Sequence, residues 1–90
     1  MQMHLVIIDD DPIIRLLRIK MLSRLEVSFQ KISQCENGKI GLNELEKIAG
    51  SKEKVIVLLD INMPVLDGWG FLDELEQNKC YGIHDLSVFI

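Results

Sequence analysis

Apolar residues in this chain fall into two kinds of pattern, continuous short runs and helical stripes. Leu5-Val6-Ile7-Ile8 is a run closed by Asp9-Asp10-Asp11, and Val55-Ile56-Val57-Leu58-Leu59 is a second, closed by Asp60. Short β-branched runs bounded by charge and turn residues predict strands buried on both faces. After the first run, Asp11 as N-cap and Pro12 at the first helical position predict a helix to about Leu25. Ile14, Leu17, Met21 and Leu25 recur on one face of it, and Arg15, Arg18 and Arg24 are placed toward solvent. Ile13, Leu16, Ile19 and Leu22 widen the apolar surface, so the helix is expected to have neighbours on two sides. Val27 to Ser33 alternates and reads as an edge strand. Asn37-Gly38 then opens a helix over Lys39–Ala49, with Leu42, Leu45, Ile48 and Ala49 on one face and Gly50 as its C-cap. Beyond the second run, an Asp67-Gly68 turn leads into a helix to about Gln77 carrying Phe71, Leu72 and Leu75. Asn78 to Asp85 reads as a loop, and Leu86 to Ile90 as a fourth strand.

The order is β-α-β-α-β-α-β. Such alternation predicts an α/β fold of three layers, an open parallel sheet with helices on both faces and right-handed crossovers. Ninety residues make one domain, 1–90, and a composition 48% hydrophobic and 27% charged is that of a globular chain. The net charge of −4 argues against nucleic acid as a partner, because phosphate binding needs a basic face. No apolar run reaches membrane-spanning length, and Met1-Gln2-Met3-His4 lacks the basic start of a signal peptide, so no membrane partner is expected. Cys35 and Cys80 have no metal or redox spacing and read as reduced thiols of a cytoplasmic protein.

In open α/β sheets, ligands bind outside the carboxyl ends of the strands. Asp9, Asp10 and Asp60 stand at two such ends, and they converge if the two strands are parallel neighbours. Unit charges about 4 Å apart repel by roughly 1 kcal/mol in water and about 4 kcal/mol at an effective dielectric of 20, so such a group calls for a cation. Hard carboxylate oxygens suit Mg²⁺, and Mg²⁺ beside a positioned carboxylate suits phosphoryl transfer with that carboxylate as nucleophile. Acids stand where the glycines of a dinucleotide loop would be, and no nucleotide P-loop is present. Asp60-Ile61-Asn62 does not continue as a calcium loop, because Val65 occupies the position that requires glycine. His4 and His84 are single histidines read as ordinary surface or strand-end residues.

Ile7-Ile8-Asp9-Asp10-Asp11, Glu36-Asn37-Gly38 and Leu59-Asp60-Ile61-Asn62-Met63-Pro64-Val65-Leu66-Asp67-Gly68 together strongly resemble the receiver domain of two-component response regulators, over all 90 residues. The resemblance implies a flavodoxin-like strand order beginning 2-1-3-4. It implies Asp60 as phosphoacceptor, Asp10 as a direct metal ligand, Asp9 acting mostly through metal-bound water, and Asn62 offering its backbone carbonyl to the metal. Mg²⁺ is the implied cofactor and a histidine kinase or small phosphodonor the implied source of the phosphoryl group; the module is then no turnover enzyme. Met63-Pro64 and Asp67-Gly68 match loop-shaping residues. One alternative is a Mg²⁺ phosphohydrolase of the haloacid dehalogenase type, whose DxDxT pattern starts at Asp9 but meets Ile13 where Thr belongs.

The chain departs from the family after its fourth strand: strand five and the last two helices are not matched, nor are the family's Ser/Thr after strand four and Lys after strand five. Lys52, Lys54 and Lys79 stand elsewhere. The 90 residues therefore read as the N-terminal part of the fold, with Ile13, Leu16 and Leu17 bared and Leu86 to Ile90 at a free edge. An isolated monomer is expected to be marginal. A second alternative follows, a non-signalling, self-associating fragment: a homodimer formed through that edge or through swapped elements. Light scattering and thermal unfolding at several concentrations check this: an unfolding midpoint that rises with concentration is expected, and a monomer with an unchanged midpoint refutes it.

Overall fold

A computed structural model describes residues 3–25, 28–63 and 66–90. The expectations that fell on Val27, Pro64 and Val65 lie outside these residues. Strand β1 (Met3–Ile8) leads into helix α1 (Pro12–Ser23), β2 (Lys31–Cys35), α2 (Gly38–Lys47), β3 (Lys54–Leu59), α3 (Gly68–Gln77), a 3₁₀ turn (Lys79–Gly82) and β4 (Asp85–Phe89). All pairings are parallel, in the order β2-β1-β3-β4. This is the flavodoxin-like order the resemblance implied.

The layering follows from handedness. The first crossover steps from β1 outward to β2, and the next two step the opposite way. Crossovers of one hand then put α1 on one face and α2 and α3 on the other. Side chains agree. Val6, Ile8, Val55, Val57 and Leu59 point to one face and form a buried core with Leu42 and Leu45 of α2 and Phe71 and Leu75 of α3. Leu5 and Ile7 alternate to the other face and are fully buried beneath α1.

Each helix begins at an Asx cap. The Asp11, Asn37 and Asp67 Oδ1 atoms accept from the backbone N–H of Ile13, Ile40 and Gly70, each at 2.9 Å. Short polar side chains do this because an N-terminal turn leaves its first amides without intrahelical partners. The cap of α2 confirms Asn37, while its C-cap is Ile48; Gly50, at φ 76°, sits in the turn beyond.

Three expectations need correction. β2 starts at Lys31, not Val27, and extends to Cys35, because β1 imposes the register His4 to Lys31 through Ile8 to Cys35. Its inward residues are Ser33 and Cys35, and a buried serine is invisible to a hydropathy pattern. β3 is fully buried on one face only: Ile56 and Leu58 are half-buried, since α1 lies over β1 and β2 and leaves this side of β3 partly open. α1 buries no residue fully, and its expected inner face is open, with Leu17 51%, Met21 68% and Leu25 55% exposed. Arg15, Arg18, Ile19 and Leu22 are the half-buried positions instead, and the neighbour expected on a second side is not found among the described residues. Ile19 and Leu22 meet Phe29 and Ile32 across a cleft of about 240 Å³. The helix is rotated this way because Arg15 is bonded to the sheet rim. Ile13, Leu16 and Leu17 are exposed as expected.

His4, the second residue of β1, holds the strand-end place expected of it but is buried. Its Nε2 lies 2.9 Å from the Ser33 hydroxyl across the β1–β2 pair. Burial first, and then the Lys31 charge, push its pKa below the ordinary value, against opposing pulls from Glu44 and Glu53. The unfolded chain takes up this proton near pH 6.5, so the stability tied to neutral His4 is complete above that pH and is lost as pH falls below it. Chemical denaturation between pH 7.5 and 5.5 is expected to show this decline, and His4→Gln, which keeps a donor for Ser33, is expected to flatten it. An equal decline in both proteins refutes the assignment.

Candidate functional site

The site is built by the pairing of β1 with β3. Ile8 and Leu59 are register partners, and the Asp60 N–H donates to the Ile8 carbonyl at 2.9 Å. The ladder thus continues one residue past both strands, and Asp9 and Asp60 emerge side by side. On the other flank, the Asp9 N–H donates to the Cys35 carbonyl at 3.0 Å. Asp9 is buried, Asp60 half-buried and Asp10 exposed. One carboxylate oxygen from each of these three lies within 4.8 Å of the others. The convergence expected from the strand tips is present.

Local bonds orient two of the three. The Asp9 Oδ1 accepts from the Asp11 N–H at 2.9 Å, and the Asp60 Oδ1 from the Asn62 N–H at 3.1 Å. Each carboxylate is thereby tied to its own loop through one oxygen. Asn62 is exposed and lies on the loop directly after Asp60. Met63 is buried in the core beneath that loop, and Asp67 caps α3. All three helices present their N-termini at this edge of the sheet, where the positive ends of their dipoles favour anionic groups.

Arg15 is the residue that sequence reasoning missed. It was placed toward solvent, yet its Nη1 donates to the Asp9 carbonyl and its Nε to the Gln34 Oε1 at 3.2 Å. It joins α1, β2 and the acidic turn, and its charge lies next to the cluster. The available signal was spacing: residues 15, 19 and 22 share one helical face. Cys35, fully buried beside this turn, has its thiol pushed up to about 11, mainly by burial, and is chemically quiet. Lys54 begins β3 at the opposite end of the strand from Asp60, near Asp85 at 4.0 Å.

A doubly wound parallel sheet with convergent acids at the tips of its two central strands defines a class of α/β proteins with an acidic rim able to hold a metal ion. Within that class the chain belongs to the response regulator receiver domain family of two-component systems, whose model matches residues 5–90. It is similar to a CheY-like receiver domain protein of Methanospirillum hungatei JF-1, with 27% identity and a TM-score of 0.74 over 96% of this chain and 61% of that one. It is 38% identical to protein-glutamate methylesterase/protein-glutamine glutaminase 1 of Carboxydothermus hydrogenoformans, over 88% of this chain and 21% of that protein. It is 30% identical to the nitrate/nitrite response regulator protein NarL of Escherichia coli K12, over 87% of this chain and 34% of that protein. The chain thus spans between about a fifth and a third of the length of these curated relatives.

The electrostatic reading gives a direct check. Asp10 makes none of the carboxylate bonds described for its neighbours, so neutralising it removes repulsion and little else. Asp10→Asn is expected to raise the metal-free unfolding midpoint by roughly 4–8 °C for each kcal/mol of repulsion removed, the scale for a domain of this size. It is also expected to shrink the further rise that Mg²⁺ produces in the original protein. A lower metal-free midpoint would show that the three acids do not repel one another.

Proposed function

We propose that the chain is a phosphoacceptor module: Asp60 takes a phosphoryl group from a histidine kinase or a small phosphodonor, with Mg²⁺ held by Asp9, Asp10, Asp60 and the backbone carbonyl of Asn62. The observation that carries this reading is the approach of the three carboxylates to within 4.8 Å at the tips of two paired strands. An all-oxygen donor set of this kind suits a small hard cation that keeps part of its water shell. The metal, when bound, neutralises charge on the phosphoryl oxygens.

The protein's own residues do the positioning. Asp60 is half-buried, fixed from behind by its N–H on Ile8 and at its side by the Asn62 N–H, which leaves one oxygen free for in-line attack on phosphorus. The new bond joins that oxygen to phosphorus as the bond to the donor's leaving group breaks, giving an acyl phosphate. Asp9, held by Asp11 and Cys35 and carrying Arg15 on its carbonyl, acts as a rigid acidic wall. Asp10, exposed, is the ligand best placed to meet an incoming ion from solvent. The reading makes the segment a signalling switch and not a turnover enzyme. The catalytic activity named for the methylesterase relative is that protein's own, and this chain aligns with about a fifth of it. Among the described residues, no helix is long and apolar enough to cross a membrane. A cytoplasmic location and the 1–90 receiver assignment are part of the proposal.

Intact mass after acetyl phosphate and Mg²⁺ tests it. One added phosphoryl group is expected, stable to acid and released by base or hydroxylamine. It should be absent with EDTA and in Asp60→Asn. Labelling is expected to be slow, because the family's lysine that opposes the phosphoryl charge has no match in this chain, Lys52, Lys54 and Lys79 standing elsewhere. A label that survives in Asp60→Asn, or sustained turnover of a phosphomonoester, overturns the proposal.

A further inference from the structure

We propose that Gly38 is a positioning residue for the acidic site, acting through Leu66. The role rests on the reading of Asp60 and its metal given above, but its observations lie outside the carboxylate cluster. Gly38 is the first residue of α2 and is buried. Its Cα faces the backbone of Leu66. A methyl group there would overlap the Leu66 carbonyl oxygen and sit 3.4 Å from both its carbonyl carbon and its Cβ. Leu66 itself is held at φ 49°, a left-handed conformation that costs a branched residue energy and persists only where its surroundings impose it. Its side chain points at Gly70, where a methyl group would lie 2.7 Å from the Leu66 Cδ1. Leu66 is thus wedged between the first residue of α2 and the first turn of α3. Both helix starts are pinned by their own caps.

This wedge closes the loop that carries Asn62. At its base the Gly68 N–H donates to the Ile61 carbonyl at 3.0 Å, and a methyl at Gly68 would be 2.7 Å from the Ile61 Cα. At its far side Leu66 rests on Gly38. Three residues before Gly38, the Cys35 carbonyl accepts the Asp9 N–H. The short connection from β2 to α2 therefore braces both acid-bearing segments, Asp9 through Cys35 and the Asp60 loop through Gly38. Any side chain at position 38 must push these apart by roughly 1 Å, since non-bonded heavy atoms settle at about 3.5–4.0 Å. Asn62, whose N–H orients the Asp60 carboxylate and whose carbonyl is the proposed ligand, moves with the loop.

Gly38→Ala and Gly50→Ala separate this role from a simple loss of stability. Gly50 has φ 76° and open space around it, so alanine there strains the backbone without touching the site. Both variants are expected to unfold at lower temperature. Only Gly38→Ala is expected to weaken Mg²⁺ binding, followed by the fluorescence of Trp69, an exposed residue in the first turn of α3, by roughly tenfold, the scale seen when the support of a metal ligand is removed. Only Gly38→Ala is expected to speed hydrogen exchange at the Asn62 and Gly68 amides in metal-free protein. Leu66→Gly introduces no overlap and removes the wedge; it should loosen the same amides, and it serves where Gly38→Ala does not fold. Equal Mg²⁺ affinity and equal exchange in Gly38→Ala and Gly50→Ala, or unchanged exchange in Leu66→Gly, overturn the proposal. If the unaltered protein does not bind Mg²⁺, the metal reading fails, and the exchange comparison alone decides whether Gly38 holds the loop.

Discussion

The parallel pairing of β1 with β3 is the constraint on which the rest depends. It is the central pair of the sheet, and its ladder runs from Met3–Lys54 to Ile8–Leu59 before ending in the bond from Asp60 to Ile8. A slip of one residue would turn every core side chain to the wrong face and move one carboxylate a pleat away from the other. The same apolar contacts that fix this register, Val6 and Ile8 against Val57 and Leu59, therefore also set the distance between Asp9 and Asp60. Core packing and site geometry are a single requirement.

Around that pair the protein places charge in a consistent way. Acids gather at the carboxyl edge of the strands, where helix N-termini point and where Asp11, Asn37 and Asp67 take up the first helical amides. The dipoles offset part of the repulsion among the carboxylates. Arg15 adds a guanidinium on the outer side of Asp9, bonded to backbone and to Gln34 and not to a carboxylate. It steadies the turn without neutralising the cluster, so the acidic oxygens stay open to a cation.

The strand tips were legible in the sequence because a charged residue directly after an apolar run has one sensible place in an open parallel sheet. Helix starts were legible for a similar reason, since Asp11-Pro12, Asn37 and Asp67 carry their capping chemistry in the residue type. What was not legible depends on partners far along the chain. The rotation of α1 is ambiguous when Ile13, Ile14, Leu16, Leu17 and Ile19 offer apolar surface on nearly every side, and it was decided by Arg15 reaching Asp9 and Gln34. The register of β2 turned on a serine buried because a histidine, 29 residues earlier, meets its hydroxyl. Leu66, Lys79, Cys80 and Tyr81 adopt left-handed backbone without being glycine, and no local signal announces that. The contact of Gly38 with Leu66 joins residues whose neighbourhood exists only once α2 and α3 have packed.

The central pairing also has a consequence for how the chain folds. β1 and β3 are separated by about half the chain, so the two strands at the heart of the sheet are among its most distant partners in sequence, and the loop between them must close before they reward each other. During synthesis β1 precedes β3 by about half the chain and, even once paired with β2, keeps its other edge open until Lys54–Leu59 has been made. Ile13, Leu16, Leu17 and Met21 are exposed in the folded segment as well, so an intermediate with an open β1 edge carries apolar surface of the kind that promotes aggregation. The acids at the rim come together in the same event that closes this edge, so the geometry of the cluster is itself a record that the central pair has formed.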